Sequence, residues 1–270
     1  MTFGWKLPYG RRQPGCTVVH RPSGWSSSGR RGKLAAMTIG ILETGRPPAE
    51  LQAQWGTYID MIRTMLGHDR EYRSYDVQAG ELPADPAECA AYVITGSSAG
   101  VYEDFPWISP LLEFIRMARG RAKLVGICFG HQAMAKAFGG EVTKSSKGWG
   151  LGMHRYEIVG PPPGMVEPLG LAIPAFHQDQ VTTLPPGARV LAASRFIPFA
   201  AIGYDDDTVS VQGHPEFSPA FSAALIEARR DVYGPLANSA LLSLLQPDDG
   251  GRTANWLRRF IDGSGLDAPG

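Results

Sequence analysis

Apolar residues along the body of the chain recur at two alternating periods. Thr38–Leu42 is a short apolar run of strand length. Leu51, Trp55, Ile59, Ile62 and Leu66 then fall on one helical stripe, predicting a helix over Ala49–Leu66. Tyr72–Val77 reads as extended, and Ala90–Thr95 as a buried strand that ends at Gly96-Ser97-Ser98. Trp107–Ala118 is amphipathic, Lys123–Ile127 is another short apolar strand, and His131–Phe138 is a short helix closed by Gly139-Gly140. Such βα repeats predict a parallel sheet with helices on both faces.

From about Glu141 to Val211 the pattern changes. Arg155–Val159, Arg189–Ala193 and Ala200–Tyr204 read as antiparallel strands between Pro/Gly turns, an extension of the parallel sheet. Helical pattern returns over Pro219–Tyr233 and Arg252–Ile261, with breaks expected at Pro235 and Pro247–Gly251. Asp205-Asp206-Asp207 reads as a solvated turn.

Charge divides the chain into two parts. It is formally neutral overall, with 26 Lys and Arg against 26 Asp and Glu, so nucleic acid and membrane surfaces are not expected partners. Residues 1–36 nevertheless carry seven of the basic residues, no acidic ones, and much Gly, Ser and Pro. They are expected to be a disordered basic extension, with residues 37–270 as the one folded domain. A basic arm, a targeting segment and an upstream start ahead of Met37 are the competing explanations, the last being favoured because a strand begins directly after Met37. No apolar run is long enough to span a membrane. Three widely spaced cysteines, Cys16, Cys89 and Cys128, form no disulfide framework and no metal pair, so a reducing, cytoplasmic compartment is expected and no metal site is predicted.

The sharpest chemical feature is Gly126-Ile127-Cys128-Phe129-Gly130-His131-Gln132, at a strand-to-helix junction. Gly-x-Cys-x-Gly is the spacing of a nucleophile elbow. Glycines at 126 and 130 let strand and helix approach, and the sulfur sits over a helix N-terminus, whose unpaired amides favour a thiolate. The Phe129 amide points where an oxyanion would form. A buried structural cysteine in a glycine turn is the competing explanation.

Gly213-His214-Pro215-Glu216-Phe217 argues against that alternative. In an extended segment His214 and Glu216 project to one side, which suits a general base and the carboxylate that orients it. Thr95–Gly100, a second glycine turn at a strand end, has backbone amides suited to completing an oxyanion hole.

At these three motifs the sequence resembles the class I, or triad, glutamine amidotransferases, over roughly Thr38–Phe217. The resemblance implies a flavodoxin-like three-layer α/β fold and attack on a γ-amide through a cysteinyl thioester. No cofactor is implied. Carried onto this chain, Cys128 is the nucleophile, His214 the acid/base and Glu216 its orienter. Ser97 and Phe129 supply the oxyanion amides, with Gly96 shaping the loop. Gln132, Trp149, Gly150 and, as a weaker match, His177 fall at substrate-binding positions.

The family loop that often reads Gly-Gly-Pro is Gly96-Ser97-Ser98 here. That version is more similar to the glutaminase half of GMP synthase and to plant γ-glutamyl peptidases. A glutaminase that hands ammonia to a separate synthetase or acceptor protein is therefore expected. A γ-glutamyl peptidase and a non-catalytic binding protein are the alternatives.

Overall fold

The computed structural model describes residues 37–160 and 170–263. The expected basic extension, residues 1–36, lies outside the described residues.

The N-terminal half alternates strand and helix: β1 (Ile39–Glu43), α1 (Ala49–Trp55), α2 (Tyr58–Leu66), β2 (Tyr72–Asp76), β3 (Ala91–Ile94), α3 (Ile108–Ala118), β4 (Lys123–Ile127) and α4 (Phe129–Ala137). The middle is mainly strand: β5 (Glu141–Lys144), β6 (Gly150–Ile158), β7 (Leu171–His177), β8 (Asp179–Thr183), β9 (Arg189–Ala193), β10 (Ala201–Asp205) and β11 (Thr208–Val211). Four helices follow: α5 (Pro219–Ala228), α6 (Arg230–Tyr233), α7 (Leu236–Ser243) and α8 (Gly250–Asp262).

Nine strands form one sheet in the order β2-β1-β3-β4-β11-β10-β9-β6-β7, while β5 and β8 pair separately. From β2 to β11 every pairing is parallel; from β11 to β7 every pairing is antiparallel. Burial on both faces explains the continuous apolar runs of the parallel strands. Ile39, Ile41, Val93, Val125 and Ile127 pack with α2 and α8, through Ile62, Leu66, Leu257 and Ile261. Leu42, Tyr92, Ile94 and Leu124 face the other way, onto Leu111, Phe114 and Ile115 of α3 and Met134 of α4. This is the three-layer, mostly parallel α/β fold with an antiparallel extension that the sequence implies.

Two helical expectations are corrected. The single helix over Ala49–Leu66 is two, α1 and α2, because Gly56 takes φ 73° and Thr57 starts a new helix. The Thr57 side chain accepts from the Asp60 amide while the Asp60 carboxylate accepts from the Thr57 amide, a reciprocal cap. The helix expected over Pro219–Tyr233 is also two, α5 and α6, and the tail is interrupted as expected at Pro235. This proline stands immediately before α7 with φ −60°, where its missing N–H leaves no bond unmade.

Asp205–Asp207 forms the expected turn, its carboxylates paired with Arg119 and Lys123. Among the described residues, no helix is long and apolar enough to cross a membrane.

Candidate active site

Strand adjacency brings the two sharpest sequence motifs together. β4 and β11 are parallel neighbours with Ile127 opposite Val211, and the Cys128 amide donates to Val211 O at 2.9 Å. The residues just past both strand ends, Cys128 and His214, therefore emerge side by side despite their sequence separation. On the other side, β3 pairs with β4, so the Thr95–Gly100 turn emerges beside the same corner.

The elbow has the backbone that its glycines imply. Cys128 has φ 52° and ψ −102°, and is the one non-glycine residue with positive φ among the described residues. Holding a side chain in such a region costs about 1–3 kcal/mol, which surrounding structure must offset. The close packing is explicit. A Cβ at Gly126 would lie 2.6 Å from Gly130 O and from Met134 Sδ, and a Cβ at Gly130 would collide with the Ile94 carbonyl. Gly130 N donates to Thr95 O at 3.1 Å, locking the start of α4 against the end of β3.

His214 is buried, and its ring is fixed on several sides. Nδ1–H donates to Glu216 Oε1 at 2.8 Å. The Phe217 ring stacks on the imidazole at 4.1 Å between centroids and 8° between planes. The His214 amide donates to Pro174 O at 2.8 Å, and Gly213 is packed against Ile173 so closely that a Cβ there would lie 2.7 Å from its Cδ1. The remaining ring nitrogen, Nε2, is the one left for the Cys128 sulfur, which lines the same cavity and whose charge acts on the ring. Burial by itself disfavours the imidazolium and is the largest single influence. The combined charges and hydrogen bonds of Cys128 and Glu216 outweigh it, raising His214 to about 10. The groups on its two sides thus favour the protonated imidazole.

Gly96 lies against this ring: a Cβ there would approach His214 Cε1 to 2.9 Å. Ser97 stands beside it in the wall of a cavity of about 650 Å³ that opens over Cys128 and His214. Phe129 is the first residue of α4, where the leading amides have no intrahelical acceptor. Its side chain is buried in the core against Trp107, so only its backbone is available to the corner.

Of the four remaining predicted residues, Gln132, Trp149 and His177 line the same cavity, with unequal freedom, and Gly150 stands behind His177. Gln132 borders it but spends its amide nitrogen on Asp179 O at 3.0 Å and Gln212 Oε1 at 3.3 Å. Trp149 lines the wall and also packs edge-on against Tyr233 at 5.2 Å, at the edge of a core cluster. Gly150 pairs with His177 across β6 and β7, and a Cβ there would sit 3.0 Å from His177 Nε2. His177 donates from Nδ1 to Asp179 O at 2.9 Å; burial lowers it to about 3, so it is neutral. His131, inside the elbow motif, is also buried neutral, with Nδ1 2.8 Å from Ser210 Oγ.

Sequence reading missed the aromatic and cationic wall. Tyr58 stacks at a tilt on Phe217, Phe176 meets His214 edge-on, and Tyr233 and Arg229 complete the α5–α6 side. Only Phe217 carried a signal, through its place in the His-Pro-Glu segment. The others come from distant elements and share no local pattern.

The flavodoxin-like sheet, a cysteine on a strand-to-helix elbow and a facing His–Glu pair define an α/β protein of the cysteine-elbow class. Comparison with known proteins agrees. The glutamine amidotransferase class-I family pattern matches residues 66–228. A glutamine amidotransferase-like protein of Schizosaccharomyces pombe is 28% identical over 208 residues, covering 71% of this chain and 84% of that one. γ-Glutamyl peptidase 4 of Arabidopsis thaliana is 34% identical over 189 residues, 66% of this chain and 75% of that one. A solved glutamine amidotransferase from Thermotoga maritima superposes with a TM-score of 0.68 at 21% identity, covering 84% and 99% of the two chains. The chain belongs to the class-I glutamine amidotransferase family.

Proposed function

We propose that this protein hydrolyses γ-glutamyl amide bonds through a thioester on Cys128, and that its preferred substrates are γ-glutamyl peptides or conjugates. The observation that carries the chemistry is the Cys128–His214–Glu216 arrangement: a strained, buried cysteine at the same corner of the cavity as an imidazole whose Nδ1 is 2.8 Å from a carboxylate. The Cys128 sulfur attacks the γ-carbonyl carbon. The oxyanion that forms is met by the Ser97 and Phe129 amides. Protonated His214 gives its Nε2 proton to the departing amine as the C–N bond breaks, leaving a γ-glutamyl thioester. His214, now neutral, takes a proton from water, whose oxygen attacks the thioester. Glutamate leaves, and the proton on His214 pairs again with the sulfur. Glu216 keeps the ring in the tautomer this cycle needs. Gln132, Trp149 and His177 shape the substrate side of the cavity, with Gly150 backing His177.

Two observations support a leaving group larger than ammonia. The cavity, about 650 Å³, is in the range that encloses drug-sized ligands. The Arabidopsis relative is a γ-glutamyl peptidase. The second reading, free glutamine as substrate with ammonia passed to an acceptor protein, is favoured by Tyr102 and Phe105. These are 51% and 46% exposed on the turn bordering the cavity, where a partner could dock.

Purified protein supplied with glutamine and with γ-glutamyl dipeptides tests both. Partner-free release of the amino acid from dipeptides, a trapped γ-glutamyl adduct at Cys128, and loss of turnover by several orders of magnitude in Cys128→Ser are expected. Glutamine turnover only with an added partner would select the second reading. Undiminished turnover in Cys128→Ser would overturn both.

A further inference from the structure

The cavity wall opposite the β3–α3 turn carries a cation that the chemistry above does not use. Arg229 lies at the junction of α5 and α6, its amide donating to Ile226 O at 3.2 Å and its carbonyl accepting from Val232 N at 3.0 Å and Tyr233 N at 3.2 Å. The backbone is thus tied on both sides, and the half-buried side chain lines the cavity with Tyr58 and Tyr233. Its positive charge acts on both phenols, and the same two phenols feel the charge at Cys128. Arg229 therefore belongs to the same chamber as the sulfur.

Of the other two cations of this cavity, one is ion-paired and the other only feels a nearby acid. Arg46 pairs with Glu43 at 2.9 Å and Asp76 at 2.7 Å. Lys144 acts on Asp179, which burial pushes upward. Among the described residues no carboxylate lies within ion-pairing distance of Arg229. Among the acids that line the cavity, Glu103 accepts from the Gly100 amide at 2.8 Å, Asp179 accepts from the Tyr102 hydroxyl at 3.1 Å, and Glu50 stands on α1. A half-buried guanidinium between two phenols, with its donors unclaimed by any carboxylate, is built to receive a planar anion through two parallel hydrogen bonds.

We infer that Arg229 binds a carboxylate of the substrate and thereby sets which γ-glutamyl compounds this cavity accepts. The inference deepens the proposed function and rests on it. Two carboxylates fit the chemistry: the α-carboxylate of the glutamyl group, and the terminal carboxylate of a peptide leaving group.

The test compares wild type, Arg229→Lys and Arg229→Gln on three probes. γ-Glutamyl-p-nitroanilide has only the α-carboxylate, γ-glutamyl-glycine has both, and the α-carboxamide of the nitroanilide has neither. Loss of a charged hydrogen-bond pair predicts KM raised about 10- to 100-fold in Arg229→Gln on a carboxylate-bearing probe, with kcat within about threefold. Arg229→Lys should fall between, and the carboxylate-free probe should be unaffected. A defect on both carboxylate-bearing probes assigns the α-carboxylate; a defect on γ-glutamyl-glycine alone assigns the leaving group. Unchanged KM on both, or an equal loss on the carboxamide, overturns the inference, the latter because it marks a structural role. If wild type turns over none of the three, the proposed function falls. Calorimetric titration of wild type and Arg229→Gln with glutamate and with glycyl-glycine then decides Arg229 separately. Tighter binding of either anion by wild type supports it, and equal or absent binding of both refutes it.

Discussion

A methyl group at Gly96 would stand 2.9 Å from His214 Cε1, 3.8 Å from Nδ1 and 3.7 Å from Cys128 Cβ. Carbon atoms in ordinary contact are about 3.5–4.0 Å apart, so the ring or the turn must yield by roughly 0.6–1 Å. Gly96 does not use the left-handed backbone region, so Gly96→Ala adds volume without backbone strain. The imidazole is not free to retreat, because Phe217 stacks on it at 4.1 Å and Glu216 holds Nδ1 at 2.8 Å. A misplacement of about 1 Å in a reacting group costs on the order of 100-fold. Gly96→Ala should therefore lower kcat/KM about 30- to 300-fold, or about 2–3 kcal/mol of transition-state stabilisation. Overpacking at one methyl should cost about 1–2 kcal/mol of stability, leaving the protein folded. Steady-state kinetics on a γ-glutamyl anilide, paired with urea unfolding, separates the two effects. Activity within threefold of wild type would refute the claim that this turn and this ring share one tight geometry.

Three further substitutions probe the charge and packing of the corner. His214 is raised to about 10 from an ordinary 6.5, so its protonation stabilises the folded state. That contribution is complete below about pH 6.5 and is lost as pH rises through about 10. The stability advantage of wild type over His214→Gln should shrink across that window; a constant difference would contradict the linkage. Glu216→Gln removes one of the raising charges and should move the alkaline limit of the rate profile to lower pH, while an unmoved limit would exclude Glu216 from the pair. Gly130→Ala drives a methyl into the Ile94 carbonyl, backbone that cannot swing aside, and should lower stability by about 2–4 kcal/mol in urea unfolding. An unchanged midpoint would show that the elbow has slack.

Local pattern foretold the elements well where the hydrophobic period is clean. Arg189–Ala193 is the observed β9 with the same ends, and Lys123–Ile127 is β4. It failed at Gly56, and it missed the helix α7 that opens after the break at Pro235. There a shared apolar stripe or a lone proline carries no information about whether the backbone turns between helices or begins one. The elbow was legible because its chemistry is local. Glycine at 126 and 130 and a helix start at 129 are needed within a few residues of the sulfur.

The amino-acid order alone thus determined the strand–helix alternation, the elbow and the facing His–Glu segment, all of which depend on neighbours within one turn or one strand. Only the tertiary structure decided that β11 returns to lie beside β4, and hence that His214 meets Cys128. It alone also set Tyr58, Phe176, Arg229 and Tyr233 around one cavity. Those contacts join residues from α2, β7 and the α5–α6 wall. Their positions follow from how helices cover the sheet faces, and burial of apolar area, being non-directional, leaves no sequence-local trace of which elements will meet.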